Sequence, residues 1–237
     1  MSVAASGGTQ RRSFPVRRMY NLGSATRDTG SAVAHQEEVA KDGIFIALDV
    51  PAPRIYPIAI HALTTDEDVF VHCPRTSGEV EIVIHVADQV YVGVGSDHTD
   101  RELERSSIPW SKQACPNVLA PVLWPLDEMR ARWDECVLRS WVDGRPYQEV
   151  GVAVFLHPDE VLRILRQRVA ALPQRDFTVF CGTYVSLSKE FGFGKRWEFE
   201  LEDPAGGRRI RHGYGVHDLF DEIREDYRVP LRNAARG

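Results

Sequence analysis

The stretch from Ser77 to Arg101, SGEVEIVIHVADQVYVGVGSDHTDR, constrains the chain more than any other. Val80, Ile82, Val83, Ile84, Val86, Val90, Tyr91, Val92 and Val94 are β-branched or aromatic, and Ala87-Asp88-Gln89 is a short polar break, so the segment reads as a β-hairpin. With those three residues as the loop, Val86 pairs with Val90, and the same register sets Glu79 opposite Asp97 and Glu81 opposite Gly95. Side chains alternate between faces along a strand, so the three carboxylates share one face. Directly opposed like charges destabilise a strand pair, and a bound cation is the usual way to hold them together. Hard oxygen donors suit Mg2+, Mn2+ or Ca2+ better than zinc. Glutamates alternating with valines also fit an ordinary strand with one solvated face, and the two readings differ in the burial they require.

A chain of 237 residues with 43% hydrophobic content can fill the core of one large domain. The net charge of −5 is spread over interspersed acids and bases, with no basic face for nucleic acid or an anionic membrane. A small molecule is the expected partner. Cys73, Cys115, Cys136 and Cys181 show no C-x-x-C spacing, which argues against zinc and disulfides and for a reducing, cytoplasmic compartment. No stretch approaches the roughly 18 apolar residues of a membrane span.

Residues 1–12 are small and polar and are expected as a disordered leader, residues 13–220 as a single domain, and residues 221–237 as a tail. Phe14 to Leu22 reads as a strand, Ser31 to Lys41 as a short helix ended by Gly43, and Pro51 to Pro57 as extended chain. Leu126 to Trp133 and Pro158 to Val169 carry helical periodicity, the second with proline in its first turn. Val137–Val142, Val152–Phe155, Phe177–Cys181, Trp197–Leu201 and Arg208–Val216 read as strands. Strands outnumber helices without regular alternation, so the fold class is α+β and strand-dominated, a mixed sheet assembly with a few peripheral helices.

The order of these pieces resembles the fumarylacetoacetate hydrolase superfamily, and in particular an uncharacterised bacterial branch of it, the domain of unknown function 2848 family. His35-Gln-Glu-Glu38 is similar to that family's His-x-x-Glu lid motif, Gly78-Glu-Val-Glu81 to its metal-binding Glu-x-Glu strand, and Ser96-Asp97-His-Thr-Asp-Arg101 to its Asn-Asp-x-x-x-Arg. Lys112 matches a substrate-polarising lysine ahead of a proline-bracketed segment. Val142-Asp-Gly-Arg-Pro-Tyr-Gln148 and Cys181-Gly-Thr183 resemble two further motifs that reach the substrate, with Tyr184 where the family has proline. Glu104 stands where a glutamine is common, and the spacing from Glu81 to Asp97 is short, so a helix usually inserted between the ligand strands is expected to be missing.

The resemblance implies a mixed β-sandwich or roll and a homodimer. It also implies Mg2+ or Mn2+ (Ca2+ being possible) on Glu79, Glu81 and Asp97, and a hydrolase that cleaves a carbon–carbon bond of a β-diketo acid or acylpyruvate through a metal-stabilised enolate. In that reading His35 and Glu38 activate water and Lys112 stabilises an oxyanion. Arg101, Gln148, Thr183 and Tyr184 contact the substrate, Arg101 as a bidentate fork on a carboxylate. The rival for Arg101 is a structural salt bridge to Asp100, Glu102 or Glu104. Glu198 or Glu200 is a substitute partner for His35, and His98 is not a ligand. Without water activation the same site would run a 2-oxo acid decarboxylase, tautomerase or hydratase, and with a lost pocket it would be a silent metal-binding homologue.

Overall fold

The computed structural model describes residues 1–5, 8–27, 43–44 and 49–231. Two sheets pack face to face. The larger one runs in the order Gly8–Arg11, Ser2–Ala5, Val122–Pro125, Val90–Asp97, Val80–Val86, Phe177–Phe180, Arg18–Gly23 and Arg54–Ile58, and Asn117–Leu119 bridges the far end of Val90–Asp97 to Leu63–Thr64. The second sheet runs Arg145–Gly151, Val137–Val142, Arg196–Asp203, Arg208–Asp218 and Asp68–Val71.

At the centre lies the hairpin predicted from sequence, with Val86 opposite Val90 and Glu81 opposite Gly95. The Asp97 amide donates to the Glu79 carbonyl at 3.0 Å, which continues the register to the third carboxylate. No helix separates the two ligand strands. Val80, Ile82, Ile84, Val86, Val92 and Val94 point towards the second sheet, where Leu138, Trp197, Phe199, Leu201 and Tyr214 complete the main core. The opposite face carries a smaller core of Val83, Tyr91, Met19, Leu119, Leu123 and Phe180. Both faces of the hairpin are therefore covered, and the solvated-strand reading of its glutamates does not hold.

Helix Pro158–Arg168 forms as its pattern predicts, with proline at its start, acids in the first turn, arginines in the last, and Val161, Leu162, Ile164 and Leu165 buried. Three expectations differ. Val152–Val154 is a 3-10 turn rather than a strand, which places Val152 and Phe155 three apart in the core while Ala153 faces solvent. Leu126 to Trp133 forms 3-10 segments, Leu126–Glu128 and Arg130–Glu135, burying Leu126, Met129 and Trp133 without a full α-helix. The N-terminal residues expected as a disordered leader form a hairpin, Ser2–Ala5 with Gly8–Arg11, that adds in parallel to Val122–Pro125 with Ala4 against the core. Backbone pairing to an open sheet edge supplies what the small side chains do not. The strand expected at Phe14 to Leu22 is Arg18–Gly23. The predicted helix at Ser31 to Lys41, with His35 and Glu38, lies outside the described residues.

Candidate metal centre and adjoining cavity

Glu79, Glu81 and Asp97 come together as the hairpin register requires. Each offers an oxygen within 4.8 Å of the others, and all three are buried. Their second contacts hold them in place. The Gly182 amide donates to Glu81 at 2.8 Å, from a turn with φ of +82° where an added Cβ would meet the Leu22 carbonyl at 2.9 Å, so only glycine brings that amide close. Asn117 donates to Asp97 at 3.0 Å, and Asn21 donates in turn to Asn117 at 3.4 Å.

Lys112 sits on helix Ile108–Ala114, whose first turn is capped by the Ser107 hydroxyl accepting from the Trp110 amide. Its ammonium contacts Asp97 closely and lies 3.8 Å from Glu79. Burial works against the lysine charge, yet Asp97, Glu79 and Glu81 outweigh it and its pKa is raised.

Arg101 takes a different task from the substrate fork expected of it. The side chain is fully buried, its Nε donates to Ser77 at 2.6 Å, Nη1 to Glu104 at 2.6 Å and Nη2 to Glu79 at 2.8 Å, and Phe191 stacks on the guanidinium at 3.9 Å. Every nitrogen is committed to the protein, so Arg101 is a positioning residue for Glu79. Gln148 is likewise internal. It accepts from the Val80 amide at 3.1 Å and from Ser140 at 2.9 Å, and donates to Thr183 and to the Tyr184 carbonyl, tying the Gly182–Tyr184 turn to the ligand strand. Thr183 lines the cavity, whereas the Tyr184 side chain packs at the margin of the main core.

Two other residues lie elsewhere. Glu198 and Glu200 alternate with Trp197, Phe199 and Leu201, whose side chains fill the core, so they face the outer side of the second sheet and pair with Arg211 and with Arg139 and Arg209. They cannot serve a histidine at the metal centre. His98 is buried with its ring nitrogens 2.9 Å from the Tyr214 hydroxyl and 2.8 Å from Thr76, and burial, with the Arg101 charge, lowers its pKa to about 3. Both ring nitrogens are thus engaged by hydroxyls of Tyr214 and Thr76.

A cavity opens onto the cluster, lined by Glu79, Glu81, Glu104 and Lys112, with Leu22, Ile108 and Ile44 as apolar wall and Tyr56 and Thr183 as further polar groups. Sequence reasoning missed Tyr56, Asn21 and Asn117. A polar Asn117 within an otherwise apolar run after Pro116 was a usable signal; Asn21 and Tyr56 reach the site only through sheet order. Among the described residues, four buried carboxylates, Glu79, Glu81, Asp97 and Glu104, are contacted by two buried cations, Arg101 and Lys112, so acids outnumber the bases that touch them. The imbalance shows at Glu81, whose pKa is raised well above the carboxylate range by burial and then by Asp97. A hard-oxygen donor set with this deficit of positive charge fits a divalent cation.

Solved structures with the same architecture are those of the fumarylacetoacetate hydrolase fold. Yeast ynq8, a fumarylacetoacetate hydrolase family protein, superposes with a TM-score of 0.60 at 14% identity over 86% of this chain and 94% of that one. A protein of that family from Yersinia pestis CO92 gives 0.58 at 16% identity over 92% and 100%. Maleylpyruvate hydrolase from Sphingobium sp. SYK-6 gives 0.61 at 12% identity over 86% and 72%. At the level of sequence, residues 23–214 match the family described as protein of unknown function (DUF2848), and the chain belongs to that family. No curated protein matches it. Among the described residues no helix is long and apolar enough to cross a membrane, and all four cysteines are buried and unpaired.

Proposed function

We propose that the protein is a divalent-metal-dependent enzyme, using Mg2+ or Mn2+, that cleaves a carbon–carbon bond next to a carbonyl in a β-diketo acid or acylpyruvate. The observation that carries this reading is the buried set of Glu79, Glu81 and Asp97, whose two glutamates line a cavity together with Lys112. When bound, the cation would supply positive charge against the enolate that forms as the bond breaks. Glu79 is held by Arg101, Glu81 by the Gly182 amide and Asp97 by Asn117, so the three donors are preorganised rather than gathered by the ion. Lys112 adds a buried ammonium beside Asp97, where a point charge counts for more than at the surface.

The fold likeness to a maleylpyruvate hydrolase supports the architecture and is consistent with this chemistry. A decarboxylase, tautomerase or hydratase reading draws support from the same cavity, because enolate stabilisation needs only the groups already lining it. We extend the proposal to a homodimeric, cytoplasmic enzyme on the strength of the resemblance and the unpaired thiols. Acylpyruvates and oxaloacetate screened with Mg2+ and Mn2+ test the reading: metal-dependent cleavage of an acylpyruvate is expected, oxaloacetate turnover alone would install the decarboxylase, turnover that survives chelation would remove the metal from the proposal, and absent turnover of all of them would remove the enzyme assignment.

A further inference from the structure

Tyr56 belongs to none of the motifs discussed above, yet the sheet places it at the cavity. Its strand, Arg54–Ile58, runs antiparallel to Arg18–Gly23 with Tyr56 opposite Asn21, and that strand is parallel to Phe177–Phe180 with Asn21 beside Phe180. Phe180 pairs in turn with Val83, two residues on from Glu81. Directly paired residues share a face, so Tyr56 lies on the carboxylate face of the sheet, three strands across from Glu81. The phenol is half-buried in the cavity wall with Glu79, Glu81, Glu104 and Lys112. Among the described residues its hydroxyl has no hydrogen-bond partner.

The ring has a place made for it. Gly23 lies one pleat along the neighbouring strand, and a Cβ there would approach the Tyr56 ring to 3.1 Å. Glycine at 23 lets the ring lie against the strand. A hydroxyl in a cavity wall that also carries carboxylates and an ammonium, with no partner among the described residues, is placed to serve a bound molecule.

We propose that the Tyr56 hydroxyl donates a hydrogen bond to the substrate carbonyl that lies farther from the metal centre, making the pocket selective for acylpyruvates over simple 2-oxo acids. The inference rests on the proposed function and narrows its substrate class. Arg101 is committed to Glu79 and Glu104, Lys112 lies against Asp97 and the Thr183 hydroxyl donates to the Val80 carbonyl, which leaves the hydroxyls of Tyr56 and Ser24 as neutral donors in the lining, and Tyr56 is the longer reach into the cavity. Glu104, in the same lining, disfavours a second carboxylate there, so the acceptor is a ketone oxygen.

The test is calorimetric titration of acetylpyruvate and of pyruvate into wild type and Tyr56→Phe with Mg2+ present. Acetylpyruvate carries the second carbonyl and pyruvate does not. Tyr56→Phe should weaken acetylpyruvate binding about tenfold, the worth of one well-placed hydrogen bond, and leave pyruvate unchanged. Equal acetylpyruvate affinity in the two proteins overturns the inference, and so does a parallel loss for both ligands, which would make Tyr56 a structural residue. If wild type binds neither ligand in the presence of Mg2+, the function proposed above fails and this inference falls with it, an outcome the variant is not needed to detect.

Discussion

The protein contains two stretches in which glutamates alternate with apolar residues, and the fold treats them in opposite ways. Glu79 and Glu81 open the central hairpin, while Glu198, Glu200 and Glu202 lie on Arg196–Asp203 in the second sheet. In the second sheet each carboxylate meets an arginine from a neighbouring strand: Arg139 and Arg211 lie directly opposite Glu200, Arg209 opposite Glu202, and Arg211 also reaches Glu198 at 3.1 Å. Each of these three acids has an arginine within reach on an outward face. At the hairpin the register brings a third carboxylate, Asp97, rather than a base, and among the described residues the acids there outnumber the bases that touch them, Arg101 and Lys112. The alternating pattern is thus silent on function; what stands across the ladder decides whether the carboxylates brace the sheet or wait for a cation.

The comparison breaks most visibly at the arginines. Arg101→Leu should destabilise the protein by about 3–5 kcal/mol in urea denaturation, because it leaves Glu79 and Glu104 buried without their partner. Near wild-type stability after this change would mean that the buried charges are solvated in a way the fold does not show. Lys112→Ala should lower kcat on any substrate found by about 10²- to 10³-fold, the scale of removing one oxyanion donor, with folding preserved. Activity within about threefold of wild type would make the lysine a bystander.

The charge imbalance also sets a pH dependence. Burial and the neighbouring Asp97 raise the Glu81 pKa in the metal-free protein, so folded Glu81 binds its proton more tightly than unfolded Glu81 does. Stability from this group is fully present below the ordinary carboxylate range, near pH 4, and is lost as pH rises through the folded value. Chelator-treated wild type should therefore melt at progressively lower temperature from pH 5 to pH 8, and Glu81→Gln should flatten that slope; an unchanged slope would place the imbalance elsewhere. The smallest effect belongs to the second sheet. Arg209→Ala should cost no more than about 1 kcal/mol, since its side chain is 62% exposed and solvent screens its pairs.

Much of the hairpin was legible because a strict period of two and a three-residue polar break leave a single register, and that register alone aligns Glu79, Glu81 and Asp97. Helix Pro158–Arg168 was legible for a similar reason, having both its period and its cap in the sequence. The role of Arg101 was not, because a guanidinium that clamps Glu79 and one that clamps a substrate carboxylate need the same residue at the same spacing, and only burial separates them. Val152–Val154 misled because β-branched residues also suit a tight turn when the two flanking apolar side chains are three apart. Tyr56 and Asn21 had no local signal: they reach the cavity across strands whose order the chain does not spell out.

The central claim is that Glu79, Glu81 and Asp97 hold a divalent cation, and thermal unfolding with and without Mn2+ or Mg2+ tests it most directly, using Glu81→Gln and Glu200→Gln side by side. Binding to the folded state alone raises Tm by mass action, so wild type and Glu200→Gln should both gain stability with metal, whereas Glu81→Gln should gain none. A metal-induced shift that survives in Glu81→Gln, or one that disappears in Glu200→Gln, would contradict the account.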